Sequence, residues 1–472
     1  MKFLSLCYIQ WSGHCKKLFF ALTFVFTLVA VCLHMSLNPV NTKAVCDNTK
    51  TDVYQWALQT SQVSKETKDF TFHPGIQKIN ISYAYERQWV GFPNVARIDC
   101  EYSLKYRAIN KSYPKTVKRI LPILFIEDSR NCSTFLDKYG YRRYPQASIE
   151  ERNFPIAFVL LSHKDIDQVH FLLRAIYRPH NVYCLSVDIK SSVEFLAATK
   201  SLAKCLPNVF VSSKLENIVY GGYSRLMADI NCFQDLVKHP VPWRYVINSP
   251  GQQFPLRQES KTNLELVKIL KLLNGTNDVL GVTGESRNIE RFMTKWKYIT
   301  NETSGDVYLM PTSDKNDPPP HNLDVVKCSA YGAFSRAFVH FVLTSPISRD
   351  LLNWSRAVYS PDEMFWATLN YNTISPAPGG FKGVPTNRPW LASFSLWPWD
   401  NLPCHSKFVR QICIFGIDDL PLLMSTHALF ANKFYINHEP MALHCLDQFL
   451  YNLTMLGEPR DTSYYQNHFM TK

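Results

Sequence analysis

Residues 155–161 read PIAFVLL, a continuous apolar run of the kind a strand carries when both faces of its sheet are covered. Helical spacing follows over 169–176, and a second apolar strand over 181–187 is closed by Asp188. Ser191 and Ser192 stand where an N-cap is needed for a helix over 193–202. A short strand is expected at 209–212. The next helix, over 223–237, sets Leu226, Ile230, Phe233 and Leu236 along one side, and a strand over 243–247 follows it. This alternation predicts an α/β domain with a parallel sheet and right-handed crossovers. Ligands of such sheets sit beyond the carboxyl ends of the strands, which gathers Leu161, Asp188, Tyr220 and the loop 248–254 around one crevice. No Gly-x-Gly-x-x-Gly or Walker sequence follows any strand, so neither a dinucleotide site nor a P-loop is supported. From about residue 318 the order turns irregular and proline-rich; 412–434 predicts a short strand, a turn at Asp418 and Asp419, and a helix leading to 431–434.

The N-terminus has a different pattern. Lys2, Lys16 and Lys17 precede an apolar run over 18–37, long enough for a thin bilayer. Positive charge before the span predicts a cytoplasmic tail at 1–17, a signal anchor at 18–37 and a lumenal remainder, which composition divides into a stem at 38–96 and a globular domain over 97–472. A cleaved signal peptide would have a shorter apolar region and a small-residue cleavage site, which Cys32-Leu33-His34-Met35 does not offer. Asn80, Asn110, Asn131, Asn274, Asn301, Asn353 and Asn452 each open a glycosylation sequon, as expected of a lumenal chain. Ten cysteines follow the anchor without metal-ligand spacing, so they read as disulfides of unassigned connectivity rather than a zinc site. The net charge of +12 is scattered, with clusters at 115–119, Arg142 and Arg143, and 291–297. A solvated basic surface or a cleft for an anion fits it; nucleic acid is a poor partner for a lumenal protein.

Tyr359-Ser360-Pro361-Asp362-Glu363-Met364-Phe365-Trp366 carries the candidate chemistry. Ser360 as N-cap and Pro361 at the first helical position would put Glu363 in the first turn of an otherwise apolar helix. A carboxylate against apolar surface gains proton affinity and suits a general base. The same residues fit a capping box, in which Glu363 only bonds back to the Ser360 amide. The one Asp-x-Asp element, Asp165-Ile166-Asp167, opens a helix, where acidic residues serve the dipole. Asp188 is a lone carboxylate, able to bind a ribose or cap the next helix but a poor magnesium or manganese site.

Taken together, residues 155–161, 172–177, 183–188, 219–229, 360–368 and 413–434 resemble the core 2/I-branching β-1,6-N-acetylglucosaminyltransferases, glycosyltransferase family 14, in one register from about Cys100 to Cys445. The resemblance implies a GT-A-like fold with a Rossmann-like mixed sheet. It further implies a metal-independent, inverting transferase of the Golgi membrane that uses UDP-GlcNAc and a glycoprotein or glycolipid glycan as acceptor. By correspondence Glu363 is the base, and Arg410 and Lys433 neutralise the departing diphosphate in place of a metal. Leu161, Asp188 and Tyr220 match uridine-binding positions, while Arg291, Trp397 and Trp399 match the acceptor side. The family pattern also pairs Cys100 with Cys445, Cys132 with Cys205, Cys184 with Cys232 and Cys404 with Cys413, leaving Cys46 and Cys328 over.

Three positions depart from the pattern. Gln253 stands where family members carry an acidic residue, and Leu280 and Asn288 replace an acceptor-binding Glu and Lys. Each lost charged hydrogen bond is worth about 1.5–3 kcal/mol, so acceptor recognition is expected to change. An active transferase with an altered acceptor is one reading. A catalytically silent lumenal protein that binds glycan or nucleotide sugar, or acts as a chaperone, is the other.

Overall fold

The computed structural model describes residues 100–105, 113–144, 146–257, 265–387, 390–456 and 463–470. The expected tail, anchor and stem lie outside the described residues, as do Asn80, Asn110 and Cys46. Among the described residues no helix is long and apolar enough to cross a membrane.

The central sheet has five strands, in the spatial order Val209–Val211, Val182–Val187, Ile156–Ser162, Tyr245–Pro250 and Ala333–Ser335. In chain order the elements that position the site begin with β1 (Ile156–Ser162), helix α1 (Ile166–Ile176), β2 (Val182–Val187), α2 (Val193–Cys205), β3 (Val209–Val211), α3 (Tyr223–Lys238), β4 (Tyr245–Pro250) and β5 (Gln253–Pro255). They continue with β6 (Thr294–Thr300), β7 (Val307–Lys315), β8 (Ala333–Ser335), α4 (Arg336–Thr344), α5 (Phe365–Tyr371), β9 (Lys407–Val409), β10 (Ile412–Ile414), β11 (Phe430–Asn432) and α6 (Pro440–Leu456). Strands β1 to β4 are mutually parallel, with Phe158 opposite Tyr183 on one side and Ile247 on the other. Strand β8 runs antiparallel along β4.

The apolar runs of β1 and β2 serve two cores. Ile156, Phe158 and Leu160 face the layer that holds α1, α2 and α6, while Ala157 and Val159 face the layer of α3, α4 and α5. Leu226, Ile230, Phe233 and Leu236 of α3 all enter the second core, as their spacing requires. Burying each such side chain contributes about 1.5–3 kcal/mol. Trp243 belongs to the turn before β4 rather than to the strand; its indole donates to the Leu236 carbonyl at 2.9 Å and its ring fills the same core. The sequence pattern also passes over three antiparallel pairs, β5 with β11, β6 with β7, and β9 with β10. They are short or face solvent, so they carry little hydrophobic signal.

Helix α1 is buried all round, and its polar residues have inward partners. Arg174 donates to Asp447 of α6 at 2.6 Å, and Arg143 reaches the other carboxylate oxygen at 2.7 Å. Disulfides close Cys100–Cys445, Cys132–Cys205, Cys184–Cys232 and Cys404–Cys413; Cys328 is a buried free thiol. The first of them spans 345 residues, a closure that removes much unfolded-chain entropy. Asn131, Asn274, Asn301 and Asn353 are exposed. Asn452 faces inward on α6 at 7% exposure, so that sequon is buried rather than presented.

Candidate active site

The carboxyl ends of β1 and β4 open onto a crevice of about 50 Å³, lined by 161–165, Gln168 and 250–252. Leu161, the last residue but one of β1, stands opposite Ser186 and Pro250. Asp188 follows β2 directly. Its Oδ1 accepts the amides of Lys190 at 3.0 Å and Ile218 at 3.3 Å, which orders the loop leading to Tyr220. It does not cap the next helix: the Ser192 hydroxyl does so, accepting from the Phe195 amide at 3.1 Å.

Tyr220 is exposed, and the Arg410 guanidinium lies over its ring at 4.3 Å. Arg410 and Gln411 form the two-residue turn between β9 and β10, with φ of 51° and 63°. A tight hairpin requires positive φ at both centres, and non-glycine residues there cost about 1–3 kcal/mol each. An arginine is thereby held at the hairpin tip, with the Cys404–Cys413 disulfide at its base.

Lys433 follows β11 and is 7% exposed. Burial, with Arg410 and Lys164 nearby, lowers its pKa to about 8. Its Nζ lies 5.6 Å from the Tyr435 ring centre, and Lys164 Nζ lies 5.5 Å from the same ring. Buried Gln168 holds this segment in place. Its Nε2 donates to the Phe434 carbonyl at 2.8 Å, its Oε1 accepts from the Ile436 amide at 2.9 Å, and its Nε2 also reaches the Gly251 carbonyl at 3.3 Å. Arg119 holds both carboxylates of the Asp-x-Asp element, Asp165 at 2.8 Å and Asp167 at 2.5 Å. Of the five expected residues Leu161 lines the crevice, Arg410 stacks on Tyr220, and Lys433 has Arg410 and crevice-lining Lys164 as its charged neighbours.

Glu363 does not sit as the capping box requires. Ser360 is in the left-handed region at φ 49° and its hydroxyl caps nothing. Its amide is already taken by the Gly221 carbonyl at 2.7 Å, so Glu363 has no amide to return to. Pro361–Glu363 form a 3₁₀ turn separated from α5 by Met364. Nor does apolar surface enclose Glu363. Its Oε2 accepts from Arg291 Nη1 at 2.6 Å, and the side chain keeps 35% exposure. The buried carboxylate is its neighbour Asp362, raised to about 7 by burial against the opposing charge of Arg225, with Glu363 and Asp229 pushing it further up. Arg225 pairs with Asp229 at 2.7 Å and reaches Asp362 at 3.9 Å, forming a charged layer beneath the Glu363 turn.

Tyr359 stands between the Arg291–Glu363 pair and the segment of Tyr220 and Gly221. Arg291 lies 5.5 Å over its ring and Trp296 of β6 packs against it at 4.6 Å. On its other side the Tyr359 ring lies against Gly221, where an added Cβ would come within 2.6 Å. Trp397 and Trp399 stack on each other at 5.2 Å, and the Leu396 carbonyl beside them accepts from the Cys413 amide of β10. Among the described residues no hydrogen bond, ion pair or ring contact joins either tryptophan to Glu363.

The departures have local consequences. Gln253 is buried in β5 opposite Asn432, and its Oε1 has no hydrogen-bond partner among the described residues. Asn288 adopts φ 53°, a conformation asparagine tolerates better than most residues, and its carbonyl accepts the Arg291 amide at 3.0 Å. Leu280 lies half-buried. Sequence reasoning missed Tyr359, Gln168 and Lys164 as site residues. The Arg225 and Asp229 spacing of four along a helix was a readable signal of a pair; the others are signalled by nothing local.

Comparison with known proteins agrees with the geometry. The family model described as "Core-2/I-Branching enzyme" matches residues 156–423. An N-acetyllactosaminide β-1,6-N-acetylglucosaminyl-transferase of Mus musculus is 41% identical over 69% of this chain and 79% of its own length. The Homo sapiens protein of the same name is 42% identical over 64% and 73%. A Homo sapiens β-1,3-galactosyl-O-glycosyl-glycoprotein β-1,6-N-acetylglucosaminyltransferase 3 is 32% identical over 94% of this chain and 98% of its own. The chain therefore belongs to the Core-2/I-branching enzyme family.

Proposed function

We propose that the protein is a Golgi type II membrane enzyme that transfers GlcNAc from UDP-GlcNAc, in β-1,6 linkage, to a galactose- or GalNAc-containing acceptor glycan. Glu363 takes the proton from the acceptor C6 hydroxyl as its oxygen attacks the anomeric carbon. The bond to UDP breaks on the opposite face, which inverts the configuration. Arg410 and Lys433 receive the negative charge that develops on the diphosphate, the role a metal has in other transferases. Asp188 and Tyr220 hold the ribose and its surroundings, Leu161 lines the uracil side, and Arg291, Trp397 and Trp399 meet the acceptor.

The observation that carries this reading is the span from Glu363 to Arg410: Arg291 and Glu363 on one side of Tyr359, Gly221 and the Tyr220–Arg410 pair on the other. The engagement of both Asp-x-Asp carboxylates by Arg119 supports a diphosphate held by cations alone. The test is transfer of labelled GlcNAc by the full-length chain to an array of galactose- and GalNAc-terminated acceptors, with and without chelator. Transfer that survives the chelator supports the proposal; transfer abolished by it, or absent from every acceptor, sinks it. The departures at Gln253 and Leu280 motivate a second reading, a lumenal binding protein without turnover. UDP-GlcNAc binding measured by calorimetry, with no transfer to any acceptor, would select it.

A further inference from the structure

Three cations are neighbours beside the crevice, and the family correspondence accounts for two. Lys164 lies in the loop between β1 and α1, is exposed, and lines the crevice beside Leu161 and Gly251. Its Nζ and that of Lys433 lie at 5.5 and 5.6 Å from one ring, that of Tyr435, which bounds their separation at about 11 Å. Lys164 and Arg410 both act on Lys433 as like charges. Among the described residues none of the three forms an ion pair. The nearest carboxylate in sequence, Asp165, is taken by Arg119 at 2.8 Å. The residue opposite Asn432, next to Lys433, is the neutral Gln253. Like charges so placed repel one another, and an anion between them removes the repulsion.

We infer that Lys164 is a third cation of the diphosphate subsite, reaching it from the β1 side while Lys433 and Arg410 reach it from the C-terminal segment. Tyr435 serves as the shared floor that fixes the spacing of the two lysines. This inference rests on the nucleotide-sugar reading of the same crevice. Because Lys164 is exposed, replacing it removes charge without emptying any core.

The experiment compares UDP and uridine binding by calorimetry to the full-length chain, to Lys164→Met and to Lys164→Arg. Lys164→Met is expected to weaken UDP binding about tenfold or more while leaving uridine unchanged, and Lys164→Arg to restore most of the loss. The dependence of UDP affinity on salt should also become shallower in Lys164→Met. Wild-type binding of UDP with Lys164→Met binding equally well overturns the inference and leaves the donor reading standing. Equal weakening of UDP and uridine, or no rescue by arginine, overturns it as well, since either shows that phosphate-directed charge is not what was lost. Failure of the wild type to bind UDP at all overturns the donor reading itself, and the inference with it.

Discussion

Arg291 Nη1 donates to Glu363 Oε2 across 2.6 Å, although 72 residues separate the two in the chain. The contact orients the carboxylate without burying it, and it comes from the segment just before β6. If Glu363 is the base, Glu363→Gln keeps an acceptor oxygen for Arg291 and leaves the fold intact, because no cap depends on it. Turnover is expected to fall about a hundredfold or more. The melting temperature should scarcely move, since a partly exposed ion pair is worth about 0–1 kcal/mol. Loss of melting temperature with activity retained would assign Glu363 a structural role.

Lys433 gives the proposed donor site a pH signature. Its pKa is lowered to about 8, so in the empty protein it is largely charged below that pH and largely neutral above it. A bound diphosphate favours the charged form. UDP binding should therefore take up almost no proton near pH 7 and close to one near pH 9, with affinity falling as pH rises through that window. Calorimetry in buffers of different ionisation enthalpy reads the uptake directly. Absence of uptake at the alkaline end would remove Lys433 from the phosphate.

Asp362 predicts a stability effect of the opposite origin. Its folded pKa is raised to about 7 from 3.8, so the folded chain holds a proton that the unfolded chain has released between those values. That contribution is full below the unfolded pKa and is lost as pH rises through the folded one. Asp362→Asn does not titrate, so relative to wild type it should gain stability from pH 4 to 7, by at most about 1.4 kcal/mol per pH unit. Urea midpoints at several pH values measure it, and a constant difference across the range would mean Asp362 is ionised throughout.

Gly221 is constrained twice, by φ of +69° and by the Tyr359 ring, which a Cβ would approach to 2.6 Å. Gly221→Ala is expected to displace Tyr359 and with it the spacing between Arg410 and Glu363. Donor affinity and turnover should both drop about tenfold or more. Unchanged kinetics in a folded Gly221→Ala protein would show that Tyr359 does not set that spacing.

Asp447 is the counter-charge of two buried arginines, Arg143 and Arg174. Asp447→Ala should destabilise by about 3–5 kcal/mol, because two uncompensated charges remain in the core. Denaturant unfolding checks this, and a cost under about 1 kcal/mol would mean that water reaches the pair.

The alternation of strand and helix, the one-sided spacing of α3 and the covered faces of β1 and β2 were all legible in the chain, because burial imposes its period on each segment separately. The blocks carrying the family resemblance are local strings for the same reason. Residue pairs that meet across the fold were not legible. Ser360 and Glu363 satisfy a capping box on paper, yet Gly221 has taken the amide that the box needs. Asn452 opens a sound sequon but turns inward on α6. Lys164, Gln168 and Tyr435 carry no sign of one another until β11 pairs with β5 and brings the C-terminal segment against α1. Local sequence determines which face of an element is buried; only tertiary packing decides which donors, acceptors and charges from distant elements are left to face each other.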